Sequence, residues 1–508
     1  MPSQHKLSYI PQVEWEGLQE PYAITSVDGT PATPGAERID VWRDEAYGIR
    51  GKLTGTGHEG LAAQTDVIIG DFVTGVTLTG WNEATNMKRH DDGELEVVTR
   101  RWVYELLDCH ILDRSTHWAK GEPETFACNL SPYGVRRAAR PPVEPTRLTD
   151  WYLNGPHADK IYPGAIGREL AEEYRKTAFG SDAVYPVLSM RQEESGGYGL
   201  VEYGGGRFLV YATPRGCGPS WSHNIGIEFR DEWGGIPDEE RRIAIGEIVA
   251  FVVGRRLIHV GSTAFDGSGW PVAEVSYDPW GNNVAAVCAM PDHAPIKFGR
   301  QTPHDRLETS LAQLVTPYID MREELGLKDV LWLYWLSREA TPGIDLLIAA
   351  AALERLMDRW LRSRRSKTGN VYLSGREFKA ITRDEFAAIA AKLEGVAGQE
   401  YIMRTLENAF EIRGVRAKRD AFFSELGLPI GPIEDQALKA RNPVAHGYGG
   451  PANSAANSEQ TIRNGDAYLT LLDRVLLKLL GYAGSYVDRS APHFPETPLD
   501  RPMAGWPT

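Results

Sequence analysis

The C-terminal half of the chain is decided by "KARNPVAHGY", residues 439–448, which closes a helical stretch opened by "PIEDQALKA". Asn442 precedes a proline and is biased out of the helical region, while Pro443 is comfortable only in a first turn. Two geometries satisfy both residues. Either Asn442 caps a short new turn, or one helix kinks at Pro443, whose ring clashes with the carbonyl of Lys439. In both, Arg441 and His446 lie within about two helical turns of each other, near an end closed by Gly447.

Outward from this stretch the periodicity is helical on both sides. Upstream, "PHDRLETSLAQLVTPYIDMREELG" places Leu307, Leu311, Leu314 and, past Pro317, Ile319 at helical intervals. "DVLWLYWLSREA" and "TPGIDLLIAAAALERLMDRWLRSRR" continue it, the second with Thr341 as cap and Pro342 at the first helical position. "TRDEFAAIAAKLEGVA", "EYIMRTLENAFEIRGVRAKRDAFFSEL" and "NSEQTIRNGDAYLTLLDRVLLKLLGY" complete an all-helical region. Trp332, Trp335 and Trp360 fall in its apolar stretches and are expected in the core or at a dimer contact.

Before residue 300 the texture is β. "TDVIIGDFVTGVTLTGW" alternates, "YGLVEYGGGRFLVYATP" reads as two strands around Gly204-Gly205-Gly206, and "RRLIHVGSTAFDGSGWPVAEVSYD" adds strands around "DGSG". No Gly-Lys helix start follows the glycine run, so it is a hairpin and not a phosphate loop. "PDEERRIAIGEIVAFVVG" has an acidic, proline-led start and helical spacing, so one helix packs on the sheets. The expected fold is multidomain α+β. Residues 1–300 form a sandwich-like, β-rich region of one or two subdomains, 301–324 a connecting helix, 325–482 a helical bundle and 483–508 a Pro-rich tail, either disordered or draped on another surface.

Composition limits the function classes. With 508 residues, 42% hydrophobic and 24% charged, the chain is globular and long enough for two to four domains. A net charge of −14 argues against coating nucleic acid through a bulk field. The charge is uneven, however: residues 321–450 hold 20 cationic and 18 anionic side chains, which leaves −16 on the remainder. Cys109, Cys128, Cys217 and Cys288 are widely spaced with no CxxC pair, and are expected to be reduced and structural, with no metal or cofactor. The first twenty residues lack a secretory pattern, and the longest apolar run, "LLIAAAAL", is too short for a membrane span. The expectation is a soluble, cytoplasmic protein.

Arg441 and His446 supply the residue types that metal-independent phosphodiester cleavage needs. A guanidinium clamps nonbridging phosphate oxygens and offsets the charge that develops at phosphorus. An imidazole titrating near neutrality takes the 2'-hydroxyl proton or gives one to the leaving 5'-oxygen. One helix supplies one such pair, and a symmetric dimer supplies the second histidine.

Arg441, the polar Asn442, three further residues, His446 and Gly447, late in a helical bundle, resemble the R-x4-6-H motif of the HEPN superfamily. Upstream, "LLIAAAALERLMDRW" resembles the first long helix of the Apea-like, anti-phage branch, where an "ALE" element is typical, and that branch also has a β-rich region before the bundle. The resemblance covers about residues 325–482. It implies an intracellular endoribonuclease of a defence or abortive-infection system, cutting RNA such as tRNA or phage transcripts to 2',3'-cyclic phosphate and 5'-hydroxyl ends at a composite homodimer site. An unknown trigger is then sensed by the N-terminal region. It also implies catalytic roles for Arg441 and His446, the accompanying polar place for Asn442, and an orienting role for Glu354. Glu354 fits an ion-paired helix face equally well, because Arg355 and Arg359 alternate beside it. The basic clusters 362–367 and 412–419 nominate Arg364, Arg365, Arg416, Lys418 and Arg419 for RNA phosphates, although helix C-termini often carry such charges. The alternative function is a catalytically silent bundle for dimerisation and RNA or nucleotide binding, with recognition in the β region.

Overall fold

The structure is a computed structural model that describes residues 15–19, 21–28, 35–56, 76–89, 95–117, 125–156, 198–213, 218–267, 270–279, 282–297, 306–363, 365–367, 369, 375–411, 414–445 and 455–506. The chain divides into two compact units: residues 1–293 with 298–312, and residues 294–297 with 313–508. The first is rich in antiparallel sheet and the second is helical, as the change of periodicity near residue 301 leads one to expect.

The sheet unit contains β1 (Tyr22–Ile24), β2 (Ser26–Asp28), β3 (Ala36–Arg43), β4 (Ile49–Thr56), β5 (Val76–Arg89), β6 (Leu95–His117) and β7 (Thr125–Ser131). It continues with β8 (Gly134–Arg140), β9 (Arg147–Leu153), β10 (Tyr198–Tyr203), β11 (Gly206–Ala212), β12 (Ile225–Arg230), β13 (Ile258–Phe265) and β14 (Pro271–Tyr277). These make one 14-stranded sheet in the order β1-β3-β4-β7-β6-β8-β14-β13-β9-β12-β11-β10, with β5 on β6 and β2 on β5. β6 is long enough to serve two neighbourhoods. Its residues 101–107 pair with β8, whereas residues 110–117 pair with β7, and Asp108 between them has φ +44°. The change of neighbours folds the sheet over one core, in which Ile39, Val41, Leu53, Phe126 and Leu130 meet Leu78, Trp102, Tyr104, Leu106 and Val135. β4 shows the cause: Ile49, Gly51 and Leu53 are buried and alternate with Arg50, Lys52 and Thr54, the period-2 pattern of a strand with one face inward.

The expected helix is α1 (Glu239–Val253), capped by Asp238, which accepts from the Arg241 N–H at 2.8 Å, and closed by left-handed Gly254. It is pinned to β9 by Arg242 Nε on Asp150 at 3.0 Å. Gly246 lets it lie close, since a Cβ there would stand 2.5 Å from the Tyr152 hydroxyl. A short helix, α2 (Val284–Cys288), follows β14. The glycine run is the hairpin joining β10 and β11, with Tyr203 opposite Gly206. Cys109, Cys128 and Cys288 are free thiols, and burial pushes Cys109 up to about 12, which keeps it protonated. Cys217 and residues 65–75 of the "TDVIIGDFVTGVTLTGW" stretch lie outside the described residues.

The helices that follow are α3 (Arg306–Leu325), α4 (Leu327–Glu339), α5 (Ile344–Arg362), α6 (Gly375–Lys392), α7 (Gln399–Glu411), α8 (Val415–Leu426), α9 (Pro432–Ala445) and α10 (Ala455–Leu479). α5 is central: Leu346, Ala349, Ala350, Leu353, Leu356, Met357 and Leu361 are buried, and it packs on α4, α8, α9 and α10. Its start differs from the sequence expectation. Thr341 and Pro342 are not cap and first residue, because the helix begins at Ile344, where the Asp345 carboxylate takes the N–H groups of Gly343 and Leu346 at 2.6 Å each. A carboxylate one residue inside the helix does the work expected of the threonine. Trp335 is buried and Trp332 is 56% exposed, while the Trp360 indole donates to Glu425 at 2.9 Å.

Of the two readings of the tail, draping is the one observed. β15 (Ser485–Val487) and β16 (Glu496–Pro498) pair as a small antiparallel ribbon, and Tyr486, Leu499 and Met503 are buried. Beneath them an ion pair joins Arg474 of α10 to Glu434 of α9, both side chains 0% exposed. Arg474 also donates to the carbonyls of Pro429 (3.2 Å), Leu499 (3.4 Å) and Arg501 (2.9 Å), and Glu434 accepts from the N–H groups of Gly431 (3.1 Å) and Met503 (2.8 Å). Both carboxylate oxygens and both terminal guanidinium nitrogens are partnered, which is what permits two charges to be buried, although Arg474 Nε has no hydrogen-bond partner among the described residues.

A second buried acid in this unit sets a pH dependence. Asp473 of α10 is 0% exposed, and burial pushes its carboxyl up to about 7 against the opposing pull of Arg489, Tyr334 and Arg338. Asp466, one face-turn earlier, is pushed up to about 6 by burial and by Asp345. A raised carboxyl binds a proton in the folded state that the unfolded chain releases near pH 4, so stability falls as pH rises from about 4 through 7 and is flat above. For Asp473 the loss is on the order of 4 kcal/mol. Hydrogen exchange of α10 is expected to show it more stable at pH 5 than at pH 8, and Asp473→Asn to flatten that difference.

Candidate functional site

α9 begins at Pro432, where a missing N–H costs nothing, and carries Glu434 and Asp435 in its first turn. It then runs unbroken through Asn442 and Pro443 to Ala445. Asn442 therefore does not cap a separate turn. Pro443 sits in the last turn of one helix, where its lost bond to the Lys439 carbonyl falls at a terminus. The backbone thus carries Arg441 to within five residues of His446, which itself lies outside the described residues, as do the side chain of Asn442 and residue Arg364.

Arg441 is held from the neighbouring helix. Its Nη2 lies 2.9 Å from Oε1 and 3.0 Å from Oε2 of Glu354 on α5, so one nitrogen straddles the carboxylate. The two side chains are 33% and 36% exposed, in the range where an ion pair contributes about 0–1 kcal/mol and remains open to exchange with another anion. Glu354 thus pairs with Arg441, whereas Arg355, expected beside it in an ion-paired helix face, pairs instead with Asp329 of α4. Behind the pair lies Tyr468 of α10, buried at 3% exposure. Burial pushes its phenol well up and Glu354 adds to this, while Arg441 and Arg419 pull the other way; the hydroxyl stays a neutral donor. Sequence reasoning missed Tyr468, because "AYLTLLDRVLLKLL" reads only as an apolar helix face.

The basic residues nominated for RNA are mostly engaged. Lys418 Nζ lies 2.8 Å from Asp358, and Arg365 Nε 2.8 Å from Glu324. Arg419 lies 3.6 Å from Asp420 and 4.0 Å from Asp435 and is 20% exposed. Arg416 is 88% exposed, with Asp420 at 4.0 Å. Glu354, Arg441 and Arg419 all act electrostatically on Tyr468, while Arg416 shares Asp420 with Arg419 and Arg365 pairs with Glu324.

The sheet unit holds a cluster with the composition of a hydrolase triad. Asp150 is buried between Arg242 and Ser262, and His259 Nε2 lies 3.3 Å from Ser262 Oγ and 3.7 Å from Asp150. Its order is wrong for nucleophilic catalysis. Ser262 donates its proton to Asp150 at 2.5 Å, so the imidazole faces an oxygen whose proton is already committed. Burial alone would raise the Asp150 carboxyl, but His259, Arg242 and Ser262 together hold it below its ordinary value. The cluster fastens α1 to the sheet.

No protein-family model matches this chain, and no curated protein does. Among solved structures it is similar to one described as "Crystal structure of Hcp protein", at 15% identity over 24% of this chain and 68% of that chain, with a TM-score of 0.12. A likeness of that degree carries nothing about fold or function. Among the described residues no helix is long and apolar enough to cross a membrane.

Proposed function

We propose that residues 325–482 form a HEPN-type bundle and that the protein is a metal-independent endoribonuclease working as a homodimer in an intracellular defence response. The observation that carries this reading is Arg441, placed by α9 just ahead of His446 and held by Glu354 from α5 in a weak, exchangeable pair. A phosphodiester displaces Glu354 from the guanidinium, which then clamps the nonbridging oxygens. Tyr468 and Arg419 border the same point and add a neutral donor and a second positive charge. His446 exchanges the proton of the 2'-hydroxyl or the leaving 5'-oxygen, and a partner copy supplies the other histidine. The β-rich unit receives the trigger.

A second reading has its own support. Lys418, Arg365 and Arg419 lie beside carboxylates, which leaves the face with little net field for a polyanion. A silent bundle that dimerises and binds RNA or nucleotide, with recognition in the sheet unit, has this character. The test is cleavage of total cellular RNA in EDTA by the wild-type chain beside His446→Ala, with the ends mapped. The proposal expects cyclic-phosphate and 5'-hydroxyl ends from the wild type alone. Equal cutting by both chains removes His446 from the site, and binding without cutting by either favours the silent bundle.

A further inference from the structure

Glu434 and Arg441 lie seven residues apart on α9, so they project from nearly one face, about 10 Å apart along the axis. The two ends of that face are fixed very differently. Arg441 has a one-third-exposed partner worth at most about 1 kcal/mol, too little to set the rotation of a helix. Glu434 is fully buried with both oxygens committed: Oε1 to Arg474 and the Met503 N–H, and Oε2 to the Gly431 N–H. Arg474 is in turn held by the carbonyls of Leu499 and Arg501. The C-terminal segment reaches the pair through its backbone and through Tyr486, whose ring centroid lies 5.0 Å from the Arg474 guanidinium carbon. Asp488, buried in that segment, takes the Ala504 N–H at 2.8 Å and so holds the segment's two ends together.

We propose that residues 485–505 are a strap that sets the rotation of α9 through Glu434, which makes Glu434 and Arg474 positioning residues for Arg441; the functional consequence rests on the ribonuclease reading above. A side chain about 6 Å from a helix axis moves by about 2 Å when the helix turns by about 20°. Misplacement of about 1 Å costs on the order of 100-fold in rate. The strap therefore governs the site without touching it, and release of the strap by a partner or by cleavage lowers turnover while leaving the bundle folded.

The test compares the full chain with a variant ending at Pro502, which loses the Met503 and Ala504 N–H groups but keeps the Leu499 and Arg501 carbonyls. Amide exchange of α9 and α10 and the guanidinium nitrogen NMR signal of Arg441 are measured, and RNA cleavage is measured separately. In the shortened chain α9 amides exchange at least about tenfold faster with α10 within about twofold, because only the strapped helix is loosened. The Arg441 signal moves toward that of Glu354→Gln, and kcat falls on the order of 100-fold at unchanged KM. Unchanged α9 exchange overturns the strap, and so does faster exchange with an unmoved Arg441 signal. An equal rise in α9 and α10 marks a general loss of stability and overturns it as well. If the full chain cuts no RNA, the ribonuclease reading falls, and exchange and the Arg441 signal still decide the strap. If the shortened chain does not fold, Glu434→Asp, which retracts the carboxylate by one methylene at constant charge, undergoes the same measurements with the same expectation.

Discussion

Arg474→Ala is expected to destabilise the helical unit by about 3–5 kcal/mol, the cost of leaving one member of a buried ion pair uncompensated. Glu434 keeps two backbone N–H donors but loses the cation paired with it, and the carbonyls of Pro429, Leu499 and Arg501 lose a shared donor. Against a total stability of about 5–15 kcal/mol this is a large fraction. Native-state hydrogen exchange of α9 and α10 is the appropriate measure, since a chain of two units need not unfold in a single step. The double variant Glu434→Met/Arg474→Met is expected to lose less than Arg474→Ala, because replacing both charges removes the desolvation cost along with the attraction. A loss below about 1 kcal/mol for Arg474→Ala means that water reaches the pair and that its burial is not what holds the segment.

Arg441→Ala is expected to lower RNA cleavage by at least about 100-fold while changing stability by no more than about 1 kcal/mol. The two figures come from opposite properties of one side chain. Its partner Glu354 is solvated, so losing the pair costs the fold little. In the proposed cleavage reaction the same guanidinium would meet charge developing at phosphorus, where a positioned donor counts most. Arg441→Lys is expected to recover little, since an ammonium does not present the planar fork that spans two phosphate oxygens. Single-turnover cleavage beside a urea titration checks both halves. Parallel loss of activity and stability would make Arg441 a structural residue.

How much was legible follows from the range of the interactions involved. The hairpin at Gly204-Gly205, the helix capped by Asp238 and the switch from period 2 to helical spacing are local, and the sequence reading found them. Arg441 and Glu354 were both nominated, but their contact was one of several alternatives, because a pair separated by 87 positions leaves no spacing signal. Asn442-Pro443 leaves two readings open locally, a capped new turn or a single helix, and the structure takes the single helix: the dipeptide is absorbed in the last turn of α9, where a missing backbone bond costs least. Tyr468 was hidden by a uniformly apolar neighbourhood. The buried Glu434–Arg474 pair was hidden for the opposite reason, since charged residues in amphipathic helices read as solvent-facing and a Pro-rich segment reads as unattached.

The long strand β6 has a consequence for how the sheet unit responds to damage. Because its residues 101–107 belong to one run of strands and residues 110–117 to the other, neither run is complete without the same piece of backbone. Loss of either half exposes the core that both halves share, including Trp102 and Phe126. A lesion in β6 is therefore expected to disturb the strands paired on both of its segments, whereas the separate cluster around Trp151, Leu209 and Val260 takes no residue from that strand.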